Sequence, residues 1–267
     1  MIELNSLYNE DCLATMQRMP DFFVDLTVTS PPYSQMRTYS GSEWSFEVFQ
    51  KIAKELYRVT KDGGIVAWIV ADQIVKGSKT LDSFRQGLYF AECGFRMHDV
   101  MAYIKSGVRN PSTNRYGQCW EYMFILSKGA PKTVNLIKDR KNLYPGPRTK
   151  RQNAVRTVDG DLVPDRAYTI GEYGARWNYW QYSVGGGNTS KDKVAFKHPA
   201  LFPERLASDM ITSWSNVGDL IYDPFSGAST TGVCAKELNR NFILSEISSV
   251  YCDVSRERFL NRFGVVL

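Results

Sequence analysis

Short apolar runs of strand length alternate with segments of helical periodicity toward both ends of this 267-residue chain. Residues 65–70 are wholly apolar, and residues 25–29 form a second strand candidate that ends at two prolines. Between them, residues 46–59 repeat apolar side chains at helical spacing until two glycines stop the helix. Because strands separated by single helices pair in parallel, the alternation predicts an α/β fold with a parallel sheet and crossover helices.

The other predicted elements continue this alternation. Helices are predicted over residues 81–93, 203–213, 230–238 and 250–263, and strands over residues 100–104, 122–126, 220–222 and 241–244. Residues 129–196 differ because they lack sustained periodicity and are rich in arginine, lysine, glycine, asparagine and tyrosine. We interpret this segment as an insertion with a role of its own.

Basic side chains are concentrated in this insertion, although the net charge of the whole chain is only +5. Residues 138–156 contain seven basic side chains and one acidic side chain. A charge run of this kind is most often a solvated loop, and in a nucleic-acid-binding protein it contacts phosphates. The basic residues are Lys138, Arg140, Lys141, Arg148, Lys150, Arg151 and Arg156.

The composition excludes several classes of protein. With 43% hydrophobic and 23% charged residues, the chain is neither disordered nor fibrous. Its longest apolar stretch, residues 64–71, is far shorter than the ~20 residues of a membrane helix. Residues 1–5 lack the features of a signal peptide, so we expect a cytoplasmic protein without a membrane partner. Five scattered cysteines without a C-x-x-C pair, and only two histidines, predict neither disulfides nor a metal site.

The first strand candidate leads through Thr29 into Ser30-Pro31-Pro32-Tyr33. Each proline fixes φ at about −65° and removes an amide donor, so the carbonyls of this segment are held stiffly as acceptors. Together with the Ser30 hydroxyl, the Pro31 carbonyl suits a planar group that carries an exocyclic amino group, and Tyr33 can stack on its ring. Without other support, such a segment is more often a turn with a packed tyrosine.

A later strand candidate ends in a glycine-containing turn that leads into a helix. The turn reads Asp223-Pro224-Phe225-Ser226-Gly227. Gly227 permits close backbone approach, and the N-terminus of the following helix favours a carboxylate. Nineteen residues later Glu246 follows another apolar strand, where an acid that binds ribose hydroxyls is expected. Because the full G-x-G-x-x-G pattern is missing, the turn alone also fits an ordinary connection between a strand and a helix.

Together the two motifs resemble those of the amino-group DNA methyltransferases, which use S-adenosylmethionine to methylate N4 of cytosine or N6 of adenine. Residues 29–33 resemble the catalytic motif of that family, and residues 223–227 resemble its cofactor motif. The catalytic motif comes first and the basic segment lies between the two, an order similar to that of the permuted β group. Further similar segments are residues 10–13, 121–128 and 197–206.

The resemblance implies a Rossmann-like methyltransferase sheet with helices on both faces, a circularly permuted motif order and a small target-recognition insertion. It divides the chain into a catalytic half (1–128), the target-recognition insertion (129–196) and a cofactor-binding half (197–267). It assigns catalysis to Ser30, Pro31, Pro32 and Tyr33. Binding of S-adenosylmethionine is assigned to Asp11, Thr29, Asp223, Pro224, Phe225, Ser226, Gly227 and Glu246, and contacts with DNA to Arg140, Lys141, Arg148, Lys150 and Arg151.

The function implied is site-specific methylation of cytosine N4 in double-stranded DNA, because family members of this target class carry serine before Pro-Pro-Tyr. The target base has to flip out of the duplex. Adenine N6 is the alternative target, whereas motif order and the basic segment disfavour RNA and protein substrates. The sequence leaves open whether the protein is a monomer or a homodimer, and whether a cognate restriction endonuclease accompanies it.

Two positions depart from the family pattern, because Ser229 and Ser245 stand where glycine is usual. Either serine would narrow the cofactor site or be tolerated. Ser229 also motivates a further alternative, a catalytically silent DNA-binding relative. We assign no catalytic role to His98 or His198, since structural histidines are the commoner case.

Overall fold

A computed structural model describes residues 2–32, 44–107, 113–148, 154–164 and 167–267. The chain divides into two compact units. The first comprises Met1–Asn135 and Asn178–Leu267, and the second comprises Leu136–Trp177. Among the described helices, none combines the length and the apolar character that crossing a bilayer requires.

The elements follow the alternation predicted from the sequence. The helices are α1 (Cys12–Gln17), α2 (Phe46–Val59), α3 (Asp82–Glu92), α4 (Glu204–Trp214), α5 (Thr230–Glu237) and α6 (Ser249–Phe263), with a 3-10 helix at Lys193–Lys197. The strands are β1 (Ser6–Tyr8), β2 (Val24–Thr29), β3 (Thr60–Val70), β4 (Ile74–Val75), β5 (Ser78–Lys79), β6 (Arg96–Lys105), β7 (Trp120–Ser127), β8 (Arg140–Lys141), β9 (Gly146–Arg148), β10 (Ala154–Arg156), β11 (Leu162–Pro164), β12 (Tyr168–Ile170), β13 (Tyr173–Gly174), β14 (Tyr179–Tyr182), β15 (Leu220–Asp223) and β16 (Asn241–Ser245).

Eight strands of the first unit form one sheet in the order β1-β16-β15-β2-β3-β7-β6-β14. The pairs from β1 to β3 are parallel, and so is the pair of β6 and β14. β7 is antiparallel to both of its neighbours, so the prediction of a parallel sheet is wrong for this strand. The described part of the connection from β6 to β7 contains no helix, and consecutive strands without a crossover helix pair antiparallel.

Helices pack against both faces of this sheet, as the fold prediction required. On one face, Val66 and Trp68 of β3 are buried in a cluster with Phe49 and Leu56 of α2 and Phe90 of α3. On the other face, α4 contacts β2 and α5 contacts β15 and β16. Alternate residues of β3 point to opposite faces and both faces are covered, which explains why residues 65–70 of this strand are all apolar.

The described residues of the second unit form three antiparallel strand pairs, β8 with β13, β9 with β12 and β10 with β11. Their nesting in chain order makes a long hairpin. Of the segment 129–196 that was predicted to be an insertion, only Leu136–Trp177 form this separate unit. β14, which also lies in that segment, belongs to the main sheet because its backbone pairs with β6.

Candidate active site

A cleft of about 1380 Å³ lies at the edge of the main sheet where β2, β15 and β16 end. The carboxyl ends of parallel strands are the usual place for a ligand site in an α/β sheet. Residues from both sequence motifs meet here although they are distant in the chain. Of the residues predicted to act in catalysis or cofactor binding, those lining the cleft are Asp11, Thr29, Ser30, Pro31, Pro32, Asp223, Pro224, Phe225, Ser226, Gly227 and Glu246.

Asp223 joins the two motifs through its buried carboxylate. Thr29, the last residue of β2, donates a hydrogen bond from Oγ1 to Asp223 Oδ1 over 2.7 Å. The same oxygen accepts the backbone amide of Phe225 over 3.1 Å. Burial raises the pKa of Asp223 to about 6, and these hydrogen bonds oppose that rise by stabilising the charged form. The strand ends β2 and β15 are therefore coupled by one side chain.

Glu246 follows β16 and its carboxylate holds the glycine turn in place. Oε2 accepts the backbone amide of Gly227 over 2.8 Å, and Oε1 accepts the amide of Ser248 over 2.9 Å. Burial raises the pKa of this carboxyl, and the two backbone hydrogen bonds oppose the rise. Each carboxylate oxygen has two lone pairs, so Glu246 can also accept hydrogen bonds from the hydroxyls of a ligand.

Gly227 has a φ of +51°, in the left-handed region that disfavours residues with a Cβ atom. A Cβ atom at this position would lie 2.9 Å from Nε2 of His198. The ring of His198 packs edge-on against Tyr251, with the centroids 4.4 Å apart, and His198 lines the cleft. His198 lies in the segment 197–206 that resembles the family, but its contact with the glycine turn arises only through the tertiary fold.

The wall of the cleft has hydrogen-bonding capacity that the protein itself does not use. Ser226 Oγ is buried and has no hydrogen-bond partner within the described part of the chain. An unpaired buried hydroxyl is unfavourable, so a ligand that pairs with it would be stabilised. Asp11 and Glu246 add carboxylates, and the ring of Phe225 packs edge-on against Trp44 at 5.5 Å. These groups fit a ligand with hydroxyls, an amino group and an aromatic ring.

The other predicted residues reach the cleft from the ends of β1 and β2. Asp11 caps α1 by accepting the amide of Leu13 over 2.7 Å, and its side chain is exposed. Ser30 is half-buried and Pro31 is buried, directly after the last residue of β2. Tyr33 lies outside the described residues.

Neither of the two departures from the family pattern lines the cleft. Ser229 adopts φ +56°, a left-handed conformation that explains why glycine is usual there. Its buried hydroxyl donates to Ser255 Oγ over 2.7 Å, and Ser255 in turn donates to the carbonyl of Gly227 over 2.9 Å. Ser245 Oγ lies 3.0 Å from the hydroxyl of Tyr222. Both serines are bonded inside the protein and do not narrow the cleft.

The basic residues predicted to contact DNA that lie in the described chain belong to the second unit. Arg140 donates from Nε to the carbonyl of Ala175 over 2.9 Å, and Arg148 donates to the carbonyl of Tyr144 over 3.1 Å. Arg140 and Arg148 are half-buried residues whose bonds lie within the second unit, whereas Lys141 is exposed. Lys150 and Arg151 lie outside the described residues.

The first unit places further cationic side chains along the cleft that the sequence analysis missed. Lys79 donates to Gln118 Oε1 over 2.9 Å, and Arg115 donates to the carbonyl of Gly77 over 2.9 Å. Both bonds join the β4–β5 hairpin to the connection between β6 and β7. Neither residue lies in a dense run of basic side chains like that of residues 138–156, so the charge pattern does not mark them. Only the folded chain brings them to the cleft.

Comparison with known proteins identifies similar chains over nearly the whole sequence. The DNA methylase family model N6_N4_Mtase matches residues 24–257. The chain is 48% identical over 246 residues to the orphan methyltransferase M.BamHII of Bacillus amyloliquefaciens, covering 92% of each chain. It is 26% identical to the DNA adenine methyltransferase YhdJ of Escherichia coli K12, covering 96% of this chain and 83% of that one. Its fold is similar to that of the PvuII DNA methyltransferase (cytosine-N4-specific), with a TM-score of 0.72 and 21% identity over 97% of this chain and 87% of that one.

Proposed function

Because this chain belongs to the DNA methylase family whose model covers most of its length, we propose that it methylates N4 of cytosine at a specific site in double-stranded DNA. Its general function is that of a DNA amino-methyltransferase, and S-adenosylmethionine is its cofactor. The observation that carries the proposal is the meeting of both sequence motifs in one cleft at the carboxyl edge of the sheet. A volume of about 1380 Å³ exceeds the roughly 300–1,000 Å³ of a small-molecule pocket, so a cofactor and a base can share it.

The residues around the glycine turn would hold the cofactor. Glu246 has acceptor capacity for the ribose hydroxyls, and the unpaired Ser226 hydroxyl offers one further hydrogen bond. The half-buried ring of Phe225 suits the adenine ring, and Asp11 suits its amino group. When bound, S-adenosylmethionine supplies an electrophilic methyl group on a positively charged sulfur.

Ser30 and Pro31 would prepare the exocyclic nitrogen of the target base. This nitrogen is a poor nucleophile because its lone pair is delocalised into the ring. Hydrogen bonds from its two hydrogens to Ser30 Oγ and to the Pro31 carbonyl favour a pyramidal nitrogen with an available lone pair. The prolines hold both acceptors rigidly, so catalysis comes from positioning and electrostatics. Stacking on Tyr33 would offset part of the free energy of removing the base from the duplex.

Cytosine is our first choice of target because serine stands at position 30, and the PvuII enzyme of similar fold is named cytosine-N4-specific. Adenine N6 is the second choice, and it is favoured by the similarity to a relative named as an adenine methyltransferase. Both bases present an amino group beside a ring nitrogen, so the same acceptors suit either of them.

We assign target recognition to the predicted insertion, residues 129–196. Asp139, the one acid of the basic run, is paired with Arg176 over 2.6 Å, so it offsets little of the positive charge available for phosphates. Lys141 is exposed, and Arg140 and Arg148 each keep donors beyond those bonded to backbone carbonyls. We also propose two partners, a second copy of this chain in a homodimer and a cognate restriction endonuclease. Size-exclusion chromatography tests for the homodimer, and co-purification tests for the endonuclease.

Nucleoside mass spectrometry of DNA incubated with the protein and S-adenosylmethionine tests this function. We expect 4-methylcytosine, and we expect Ser30→Ala to lower its rate of formation by at least about tenfold, since one hydrogen bond to the reacting group is lost. Ser78→Ala, on the exposed β4–β5 hairpin, is the matched control and should leave the rate unchanged. A product of 6-methyladenine would select the second target. Absence of both products on DNA of varied sequence would favour the silent DNA-binding relative.

A further inference from the structure

Gln73 is a polar residue of the cleft that neither the sequence motifs nor the proposed chemistry uses. It lies three residues beyond the end of β3, the strand that pairs with β2 in parallel. Thr29 of β2 is in register with Trp68 of β3, so the chain leaves both strands at the same edge of the sheet. Gln73 therefore lines the cleft together with Ser30 and Pro31.

The carboxamide of Gln73 has no partner on its donor side among the described residues. The residue is only 6% exposed, and its Nε2 atom is buried without a hydrogen-bond partner in the part of the chain that the structure describes. A buried amide donor without a hydrogen-bond partner lowers the stability of a folded protein. A glutamine that served only to fill space would be replaced at lower free energy by methionine, which has a similar length and no polar group. The presence of the amide group therefore indicates that it binds a ligand.

The backbone on both sides of this glutamine is anchored. Asp72 accepts two hydrogen bonds from Ser83, from its amide over 2.9 Å and from its hydroxyl over 2.7 Å. The carbonyl of Gln73 accepts the amide of Thr80 over 3.1 Å, which closes the β4–β5 hairpin. Arg115 holds the tip of that hairpin at Gly77. The carboxamide therefore extends from a backbone that is held on both sides, and burial of the residue restricts its side chain further.

From this arrangement we infer that Gln73 donates a hydrogen bond to the ring acceptor next to the amino group of the flipped base, N3 of cytosine or N1 of adenine. The inference rests on the proposed function. Ser30 and Pro31 accept the two amino hydrogens, and they leave the neighbouring ring nitrogen unpaired. A glutamine NH₂ group complements that nitrogen, so binding of the base satisfies two unpaired groups at once. Gln73 is thus a positioning residue that sets the angle of the base toward the methyl donor.

The test is a double-mutant cycle between the protein and the base. A duplex containing the methylation site is prepared with the normal target base and with its ring-deaza analogue, 3-deazacytosine or 1-deazaadenine, which lacks the acceptor. Wild-type protein, Gln73→Met and Gln73→Glu are compared by kcat and KM on both duplexes. Thr80→Val is the matched control, because Thr80 Oγ1 is also buried and unpaired within the described chain but Thr80 does not line the cleft.

We expect wild-type protein and Thr80→Val to lose about tenfold in kcat/KM on the deaza duplex, the loss expected for one hydrogen bond. Gln73→Met and Gln73→Glu should be about tenfold slower on the normal base and show no further loss on the analogue, since neither can donate to the ring nitrogen. The inference would be overturned if the Gln73 substitution and the deaza base each lowered kcat/KM independently, so that their effects multiplied. It would also be overturned if wild-type protein had the same kcat/KM on both duplexes. Either result would leave the proposed function standing. A wild-type protein that methylates neither base overturns both.

Discussion

The buried carboxylate of Asp223 predicts a stability that falls as the pH rises. Both hydrogen bonds to Asp223 from Thr29 and Phe225 end on the same oxygen, Oδ1. Asparagine can keep that oxygen in place and put its NH₂ group where the second carboxylate oxygen was. The hydroxyl of Thr231 also forms a hydrogen bond to the Asp223 carboxylate, and in the variant it can donate to the carbonyl of Val28, 3.2 Å away, and accept from this NH₂ group. Asp223→Asn therefore removes the charge with little change of shape.

The magnitude follows from the pKa of this carboxyl in the two states. Burial raises it from an ordinary 3.8 to about 6, so the charged form is about 3 kcal/mol less favourable in the folded chain than in the unfolded chain. Between these two values the folded protein binds more protons than the unfolded protein, so the free energy of unfolding falls as pH rises. The decrease is small below pH 3.8 and complete above about pH 6.5. Asp223→Asn lacks this decrease.

Urea denaturation of the ligand-free protein between pH 4.5 and pH 8 measures the effect. The free energy of unfolding of Asp223→Asn relative to wild type should rise by roughly 2 kcal/mol over this range. Any constant effect of the new amide cancels in this comparison. Asp253→Asn is the control, because its side chain is 75% exposed and pairs with Arg256 at the surface. A flat difference for Asp223→Asn, or one of opposite sign, would refute the reasoning.

Three further perturbations have expected outcomes. Arg258→Met should lower the free energy of unfolding, measured in urea, by about 3–5 kcal/mol, because its fully buried guanidinium pairs with two carboxylates. The control Arg256→Met, at the surface, should change it by less than about 1 kcal/mol. Gly227→Ala should destabilise more than Gly264→Ala, since both residues are left-handed but only the former would meet the ring of His198; equal losses would show that the contact is relaxed. Lys141→Ala should reduce the slope of log affinity for DNA against log salt by about 0.9 if its ammonium neutralises one phosphate, and an unchanged slope would remove Lys141 from the interface.

Local patterns were sufficient to predict most of the elements. The helix over residues 46–59 was predicted with its observed bounds because its apolar spacing lies within the segment and its stop signal, Gly63-Gly64, follows a few residues later. The orientation of β7 was predicted wrongly, since strand pairing depends on the path of a connection and not on the strand's own composition. The same holds for β14, whose place in the main sheet depends on its partner β6.

The two motifs and their order could be identified from the sequence by itself. The properties that matter there, the fixed φ of proline, the backbone freedom of glycine and the acceptor oxygens of carboxylates, belong to the residue types themselves. The sequence also indicated that each motif follows a strand. Because parallel strands end at the same edge of a sheet, the two motifs were expected to meet there. Only the tertiary structure decided which other groups complete the cleft, among them Gln73, His198 and Arg115. Gln73 and Arg115 carry no local signal, and the family resemblance of residues 197–206 does not indicate the contact that His198 makes. Their positions in the cleft arise from contacts between segments far apart in the chain. The raised pKa of Asp223 has the same origin, because burial is a property of the packed fold and not of the residue.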